Sequence, residues 1–372
     1  MTKGIPMRSL YFRTDGNSEI ATGHLMRCLT IARACRATDK FSEITFLVSD
    51  ADSAVLLESR FQADISGREF PIVCLHSDYR HPEQELSSLL SFLSEQPCSP
   101  QAQKPVVFID SYFVTPEYFK ALTPHCRVAY LDDLRSFSCP VDLLINYDTS
   151  EDCEFYQEAR QKLLGVEYTP LRAQFRNPSY HVRSKVTDIL LSAGGTDPYG
   201  VCIALAERLK AASLSHCRLH ILTSSANPRY QELVTLSDKD SRILLHENVS
   251  DMAGLMSSCD LAVSAGGTTL CELCAVGVPT ISFLMAENQR TAVQLFAKEG
   301  LIPYAGNIRP EASAICTSAS SQPDFRVLDA ILAFLVQAFE DFSLREKRSR
   351  SMRAFLDGCG AGKIAEKLFQ LS

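Results

Sequence analysis

Short apolar runs, most of them continuous rather than alternating, recur along the chain, separated by segments of helical length. In the first half the runs fall at residues 10–13, 44–48, 72–75, 106–109, 127–131 and 143–145. A run without polar alternation predicts a strand covered on both faces, as in a parallel sheet. Helix-length segments lie between the runs, His24 to Ala37 and Glu83 to Glu95 among them. Strand alternating with helix predicts a doubly wound α/β layer. The pattern then restarts at 186–191, 219–222, 243–245, 261–263 and 280–283, with helices expected over 200–212 and 268–276. The chain therefore reads as two α/β domains in tandem, 1–176 and 183–340, with a cleft between them. Asn177 and Pro178 interrupt regular structure and mark the linker. The Ser-, Ala- and Pro-rich stretch 309–324 reads as a loop, and the chain turns helical from Val327 to its end.

Composition narrows the function classes. A chain of 372 residues, 46% hydrophobic and 22% charged, buries two proper cores and is not disordered. A net charge of −7 argues against a nucleic-acid surface as the main function. No apolar stretch has the length to cross a bilayer, and Met1 to Leu10 lacks an apolar signal core, so we expect a cytoplasmic protein without stable membrane insertion. Fourteen cysteines in so long and core-rich a chain read as reduced, mostly buried thiols. Cys271 and Cys274 form a lone CxxC, and His216 and His220 sit in a strand-like run rather than a zinc helix. No metal and no cofactor is expected.

Ligands in open α/β sheets bind beyond the carboxyl ends of the strands, so motifs at strand-to-helix turns carry most weight. Arg13-Thr14-Asp15-Gly16, followed by Thr22-Gly23-His24-Leu25-Met26-Arg27, leads from the first strand into the first helix. His24 falls in the first helical turn, where a neutral imidazole takes a proton from water near pH 7. Spacing alone favours an ordinary capping histidine over a base. Ser264-Ala265-Gly266-Gly267-Thr268-Thr269-Leu270-Cys271-Glu272 places two glycines and two hydroxyls at a helix start, a phosphate cradle, with a carboxylate one turn on that suits a ribose. Ser192-Ala193-Gly194-Gly195-Thr196-Asp197-Pro198 is the equivalent turn at the start of the second domain, a second wall for the phosphates or a plain helix start. Gly358-Cys359-Gly360-Ala361-Gly362-Lys363 lacks the first glycine and the final hydroxyl of a P-loop and reads as a turn opening the last helix.

Together these motifs resemble the UDP-sugar hydrolases of pseudaminic acid biosynthesis and the spore-coat polysaccharide proteins of the SpsG type. Ile109-Asp110-Ser111-Tyr112, Tyr168-Thr169-Pro170-Leu171-Arg172, Gly277-Val278-Pro279, Glu287-Asn288-Gln289 and Asp357-Gly358-x-Gly360-Ala361 extend the match over nearly the whole chain. The second half is also similar to MurG-type glycosyltransferases, and the histidine motif separates the two. The resemblance implies a GT-B-like fold of two Rossmann-like domains facing a central cleft, with 341–372 returning to the first. It implies UDP held by Gly194, Gly195, Gly266, Gly267, Thr268, Thr269 and Glu272. His24 would act as general base, with Asp15 and Tyr112 in the same cleft. Gly23, Arg27, Asn288 and Gln289 would lie beside the substrate. The implied activity is a metal-independent, inverting hydrolysis of a UDP-linked amino-deoxy sugar, in pseudaminic acid or surface polysaccharide biosynthesis. A glycosyltransferase acting on a separate acceptor and a non-catalytic nucleotide-sugar-binding protein are the alternatives. Ala21 stands where the resemblance expects glycine, and a methyl group crowds that loop if the position needs a positive φ.

Overall fold

Every apolar run named above overlaps a parallel strand in the computed structural model, which describes residues 8–17, 19–20, 22–61, 69–96, 103–148, 154–211, 214–309 and 322–371. The expected loop at 309–324 falls largely outside these residues, as does Ala21. The chain divides into two compact units. One runs to Ala173 and resumes at Cys359; the other is Gln174–Gly358.

The first unit contains β1 (Arg8–Thr14), α1 (Gly23–Arg36), β2 (Phe41–Val48), α2 (Ala51–Glu58), β3 (Ile72–Cys74), α3 (Leu86–Glu95), β4 (Val106–Asp110), α4 (Pro116–Leu122), β5 (Arg127–Leu131), β6 (Leu143–Asn146) and β7 (Gln161–Leu164). The strands are parallel and ordered β3-β2-β1-β4-β5-β6-β7. The period of two explains the unbroken apolar runs. Leu10, Phe12, Val106 and Phe108 pack with Leu25, Leu29 and Ala32 of α1. Their neighbours Tyr11, Val107 and Ile109 point the other way, into a core with Leu89 and Leu93 of α3 and Phe119 of α4. Glu85, inside the stretch expected to be helical, belongs instead to a 3-10 turn, Pro82–Glu85, and is buried against Arg13.

The second unit repeats the plan with β8 (Asp188–Ser192), α5 (Val201–Ala211), β9 (Arg218–Leu222), α6 (Tyr230–Lys239), β10 (Ile243–His246), α7 (Met252–Ser258), β11 (Leu261–Ala265), α8 (Thr268–Val276), β12 (Thr280–Leu284), α9 (Arg290–Lys298), β13 (Tyr304–Asn307), α10 (Phe325–Glu340) and α11 (Phe342–Phe355). Its parallel order is β10-β9-β8-β11-β12-β13. Ile189, Leu191, Ile221, Val263 and Ile281 form its core with α5 and α10. Of the two C-terminal helices, α11 packs on α8 within this unit, while α12 (Gly360–Phe369) lies on α1 of the first. Ile364, Ala365 and Leu368 of α12 are buried in the first unit's core. The edge strands β7 and β13 carry no apolar run of their own, whereas β3 and β10, also edges and about as exposed, do.

In both sheets the strand order reverses once, between β1 and β4 and between β8 and β11. Connections leaving the two strands on either side of such a reversal go to opposite faces, which opens a crevice at their carboxyl ends. The first histidine motif and the Asp110 turn flank one reversal; the two Gly-Gly-Thr turns flank the other.

Candidate functional site

At the first reversal, α1 starts directly after the β1 loop and brings His24 to its first turn. The side chain is buried, 4% exposed. Its Nδ1 lies 2.5 Å from Oδ1 of Asp110, the last residue of β4. Arg27, one turn further along α1, grips both Asp110 oxygens, Nε on Oδ2 at 2.5 Å and Nη2 on Oδ1 at 2.6 Å. Burial by itself would raise the Asp110 carboxyl, but Arg27 and His24 reverse that and hold it well below the usual carboxylate range. An ionised Asp110 accepts the Nδ1–H of His24 and leaves Nε2 as the basic nitrogen. Nη1 of Arg27 donates to Asp133 at 2.8 Å and to the Tyr147 hydroxyl at 2.9 Å.

The ring of Tyr112 stands edge-on to the imidazole, centroids 4.3 Å apart, and its hydroxyl donates to Asp133 at 3.2 Å. Burial, reinforced by Asp133, pushes the Tyr112 phenol up to about 12, so it stays protonated and acts as a donor. Asp15 is buried with its oxygens taken: Oδ1 accepts from the Ser49 amide and hydroxyl at 2.7 and 2.8 Å, and Oδ2 pairs with Arg13. Arg13 in turn is held by Glu85 at 2.6 Å, and Tyr118 donates to that same carboxylate. Asp15, Ile20, His24, Tyr79, Asp110, Ser111, Tyr112 and Phe113 enclose a pocket with room for about one water-sized sphere, ≈ 10 Å³. A Cβ on Gly23 would meet no atom within 4 Å, so the space over this turn is open among the described residues.

At the second reversal, Gly267 caps α8 without a side chain, its carbonyl accepting from the Leu270 amide at 2.9 Å, so no side chain of the cap covers the start of the helix. Thr268 is exposed and Thr269 half-buried at that helix start; Glu272 is buried one turn on. Gly194 takes a left-handed φ of +70°, and a Cβ there would come within 3.5 Å of Met285 after β12. Gly195 is exposed beside Ser224, whose hydroxyl donates to its carbonyl at 2.8 Å. Gln289 turns its Oε1 to the amides of Met285 and Ala286, at 3.1 and 3.3 Å, and its Nε2 toward Gly267. The Asn288 side chain lies outside what the structure describes. Asp197 serves the helix start, accepting from the amides of Val201 and Cys202 at 2.8 and 2.9 Å.

The fold thus brings His24, Tyr112 and Asp15 to one pocket, and the glycines, threonines and Glu272 to one strand-end cluster. Arg27, expected beside the substrate, faces protein carboxylates instead. Asp110 stood in a quoted motif without a role; its place at the carboxyl end of the strand next to β1 is the signal that could have found it. Asp133 and Tyr147 carried no sequence signal, because they come from the ends of β5 and β6. His216 and His220 separate: His220 bridges Asp188 at 2.8 Å and His246 at 3.0 Å, while His216 meets Phe339.

Two doubly wound parallel sheets of this order define the GT-B fold. Acinetobacter baumannii MurG superposes with a TM-score of 0.64 at 12% identity, over 97% of this chain and 99% of that one. Arabidopsis thaliana UGT89C1 complexed with UDP-L-rhamnose gives 0.64 at 13% identity, over 98% and 99%. No protein-family model matches the chain. By sequence the chain is similar to the two groups its motifs pointed to. It is 22% identical over 297 residues to the UDP-2,4-diacetamido-2,4,6-trideoxy-beta-L-altropyranose hydrolase of Campylobacter jejuni, 78% of this chain and 96% of that protein. It is 28% identical over 139 residues to the spore coat polysaccharide biosynthesis protein SpsG of Bacillus subtilis, 37% of this chain and 41% of that relative, so less than half of the relative's length is spanned. No helix of the described residues is long and apolar enough to cross a membrane.

Proposed function

We propose that the protein is a sugar-nucleotide-processing enzyme, and more finely a hydrolase that releases UDP and free sugar from a UDP-linked amino-deoxy sugar. The observation that carries this reading is His24, its Nδ1 engaged by Asp110, bordering a water-sized pocket at a strand-order reversal. Such a pair suits a general base acting on water. The likeness to the Campylobacter hydrolase along almost all of that protein supports the substrate class.

In this reading the α8 start and the Gly194-Gly195 turn hold the diphosphate, Glu272 the ribose, and Gln289 the neighbouring oxygens. His24 Nε2 takes a proton from water as the water oxygen bonds to the anomeric carbon. The bond from that carbon to the UDP oxygen breaks, and the leaving diphosphate keeps the electron pair, stabilised by the amides at the helix start. Attack on the face opposite the leaving group inverts the anomeric configuration. The likenesses to that hydrolase and to SpsG support a place in pseudaminic acid or surface polysaccharide synthesis.

The test is to offer the purified chain a panel of UDP-sugars without acceptor, in ¹⁸O-labelled water, before and after exhaustive EDTA treatment. Label in the sugar, none in UDP, and undiminished turnover after EDTA are expected. Label in UDP would place the attack at phosphorus. UDP release only after addition of a lipid or sugar acceptor would make the protein a glycosyltransferase. UDP-sugar binding with no release under any of these conditions would leave a binding protein.

A further inference from the structure

Arg27 sits at the hinge of the first-unit site without facing its pocket. Its guanidinium forks onto both oxygens of Asp110, and Nη2 also approaches His24 Nδ1 to 3.2 Å. Asp110 has a fully buried side chain, and Arg27's is only 13% exposed. The remaining nitrogen is anchored by Asp133, which receives the Tyr112 hydroxyl as well, and Tyr112 returns edge-on to His24. The contacts His24–Asp110–Arg27–Asp133–Tyr112 therefore close into a ring.

We propose that Arg27 is a positioning residue that opposes protonation of His24 and keeps a proton on Nδ1, by standing beside the ring while it holds both oxygens of the Asp110 carboxylate. The inference rests on the reading of His24 as the base. A buried carboxylate that faces only an imidazole stabilises the imidazolium, and an imidazolium cannot take a proton from water. Arg27 supplies a fixed positive charge beside both groups. The charge opposes protonation of the ring, while Asp110 Oδ1 still accepts Nδ1–H and so still sets the tautomer. Other charged or titratable neighbours do not substitute for it. Asp15, from β1, is occupied by Arg13 and Ser49. Cys28, on α1, faces Asp110 Oδ2 at 3.6 Å, and its buried thiol is pushed far up and stays protonated. Tyr112 and Tyr147 are likewise raised by burial and carry no charge. Tyr79, across the pocket, donates to Glu19. Asp133 and Asp148 add negative charge on the far side of Arg27, which makes the loss of Arg27 felt more strongly.

The full chain labelled with ¹⁵N-histidine tests this directly, the His24 signals being assigned by their loss in His24→Gln. In wild type the ring nitrogens should report the Nδ1–H tautomer. In Arg27→Met the titration midpoint of His24 should rise by about one pH unit, a tenfold fall in the neutral fraction below it. The acid limb of kcat/KM for UDP release should move up with it, and activity should recover at higher pH. Arg27→Lys, which keeps the charge, should restore most of the midpoint. If Arg27→Met does not fold, Arg27→Gln is read in its place. An unchanged midpoint with a raised KM would make Arg27 a substrate ligand and overturn the proposal. An unchanged midpoint with equal loss of kcat at every pH would reduce it to structural support and overturn it equally. Should wild type hydrolyse no UDP-sugar, the proposed function fails, while the midpoints still decide the role of Arg27.

Discussion

As the proposed base, buried His24 needs its proton fixed on one ring nitrogen, and Asp110, 2.5 Å from Nδ1, offers only acceptors there once ionised. In the proposed mechanism, replacing His24 by Ala removes the base and leaves the Gly-Gly-Thr turns of the other unit untouched. We expect turnover to fall about 10²–10⁴-fold with UDP affinity unchanged, read from initial rates and calorimetric titration of folded variant. Retention of half the wild-type rate would remove His24 from the mechanism. Asp148, after β6, shows the cost of burying a further carboxyl in this cluster. Burial, then Asp133, pushes its carboxyl up to about 6 from an ordinary 3.8. Between those values the folded protein keeps a proton that the unfolded chain has lost, so stability falls as pH rises through the window and the full cost is present above it. That cost is on the order of 3 kcal/mol. Asp148→Asn should therefore raise the unfolding midpoint at pH 8 and change it little at pH 4; equal effects at both pH values would refute the assignment.

Between strand end and helix start, small differences in free space decide what each glycine does. A Cβ on Gly266 would lie 2.0 Å from Val293 Cγ2 and 3.2 Å from Gln289 Cβ. Val293 is buried on α9, so neither side chain yields freely. Gly266→Ala should destabilise the second unit by about 1–3 kcal/mol through overpacking. Gly267, one residue on, has no atom nearer than 3.9 Å to the same position. Gly267→Ala should leave thermal unfolding little changed and weaken UDP binding, because in the proposed reading the added methyl stands where the diphosphate approaches the backbone. Parallel melting curves and UDP titrations of the two variants separate packing from ligand approach. Full UDP affinity in Gly267→Ala would move the nucleotide away from α8.

Across the whole molecule, the chain returns to its first unit only through the last segment. Ile364 and Leu368 of α12 have no exposed surface, and Lys40 of the first unit pairs with Glu366 at 3.0 Å. Gly360 makes the return possible, since a Cβ there would lie 2.2 Å from the Thr169 carbonyl oxygen. Ile364→Ala should cost about 2–5 kcal/mol by opening a cavity in the first unit's core. Differential scanning calorimetry should show one transition lowered, with the transition that UDP raises left in place. A single transition, lowered as a whole, would mean that the units unfold together.

How much of this was legible beforehand follows from the range of each interaction. Eleven strands were readable as apolar runs, because a sheet covered on both faces asks for apolar residues at most positions of its inner strands. The edges β7 and β13 were not, since Gln161, Lys162 and Asn307 break their pattern; the edges β3 and β10, about as exposed, kept theirs. Strand-to-helix turns announced themselves through glycine, threonine and histidine, whose chemistry is local. From the sequence alone came the alternation of strand and helix, the restart that makes two units, and the turns that could bear chemistry. The tertiary structure alone decided strand order, and with it the reversals that bring β4 beside β1 and β11 beside β8. It also decided the partners of His24: Asp110 lies 86 positions away along the chain and Asp133 meets Arg27 across 106. Side chains so far apart in sequence meet only when the sheet is assembled, and no local pattern encodes which strand ends will become neighbours.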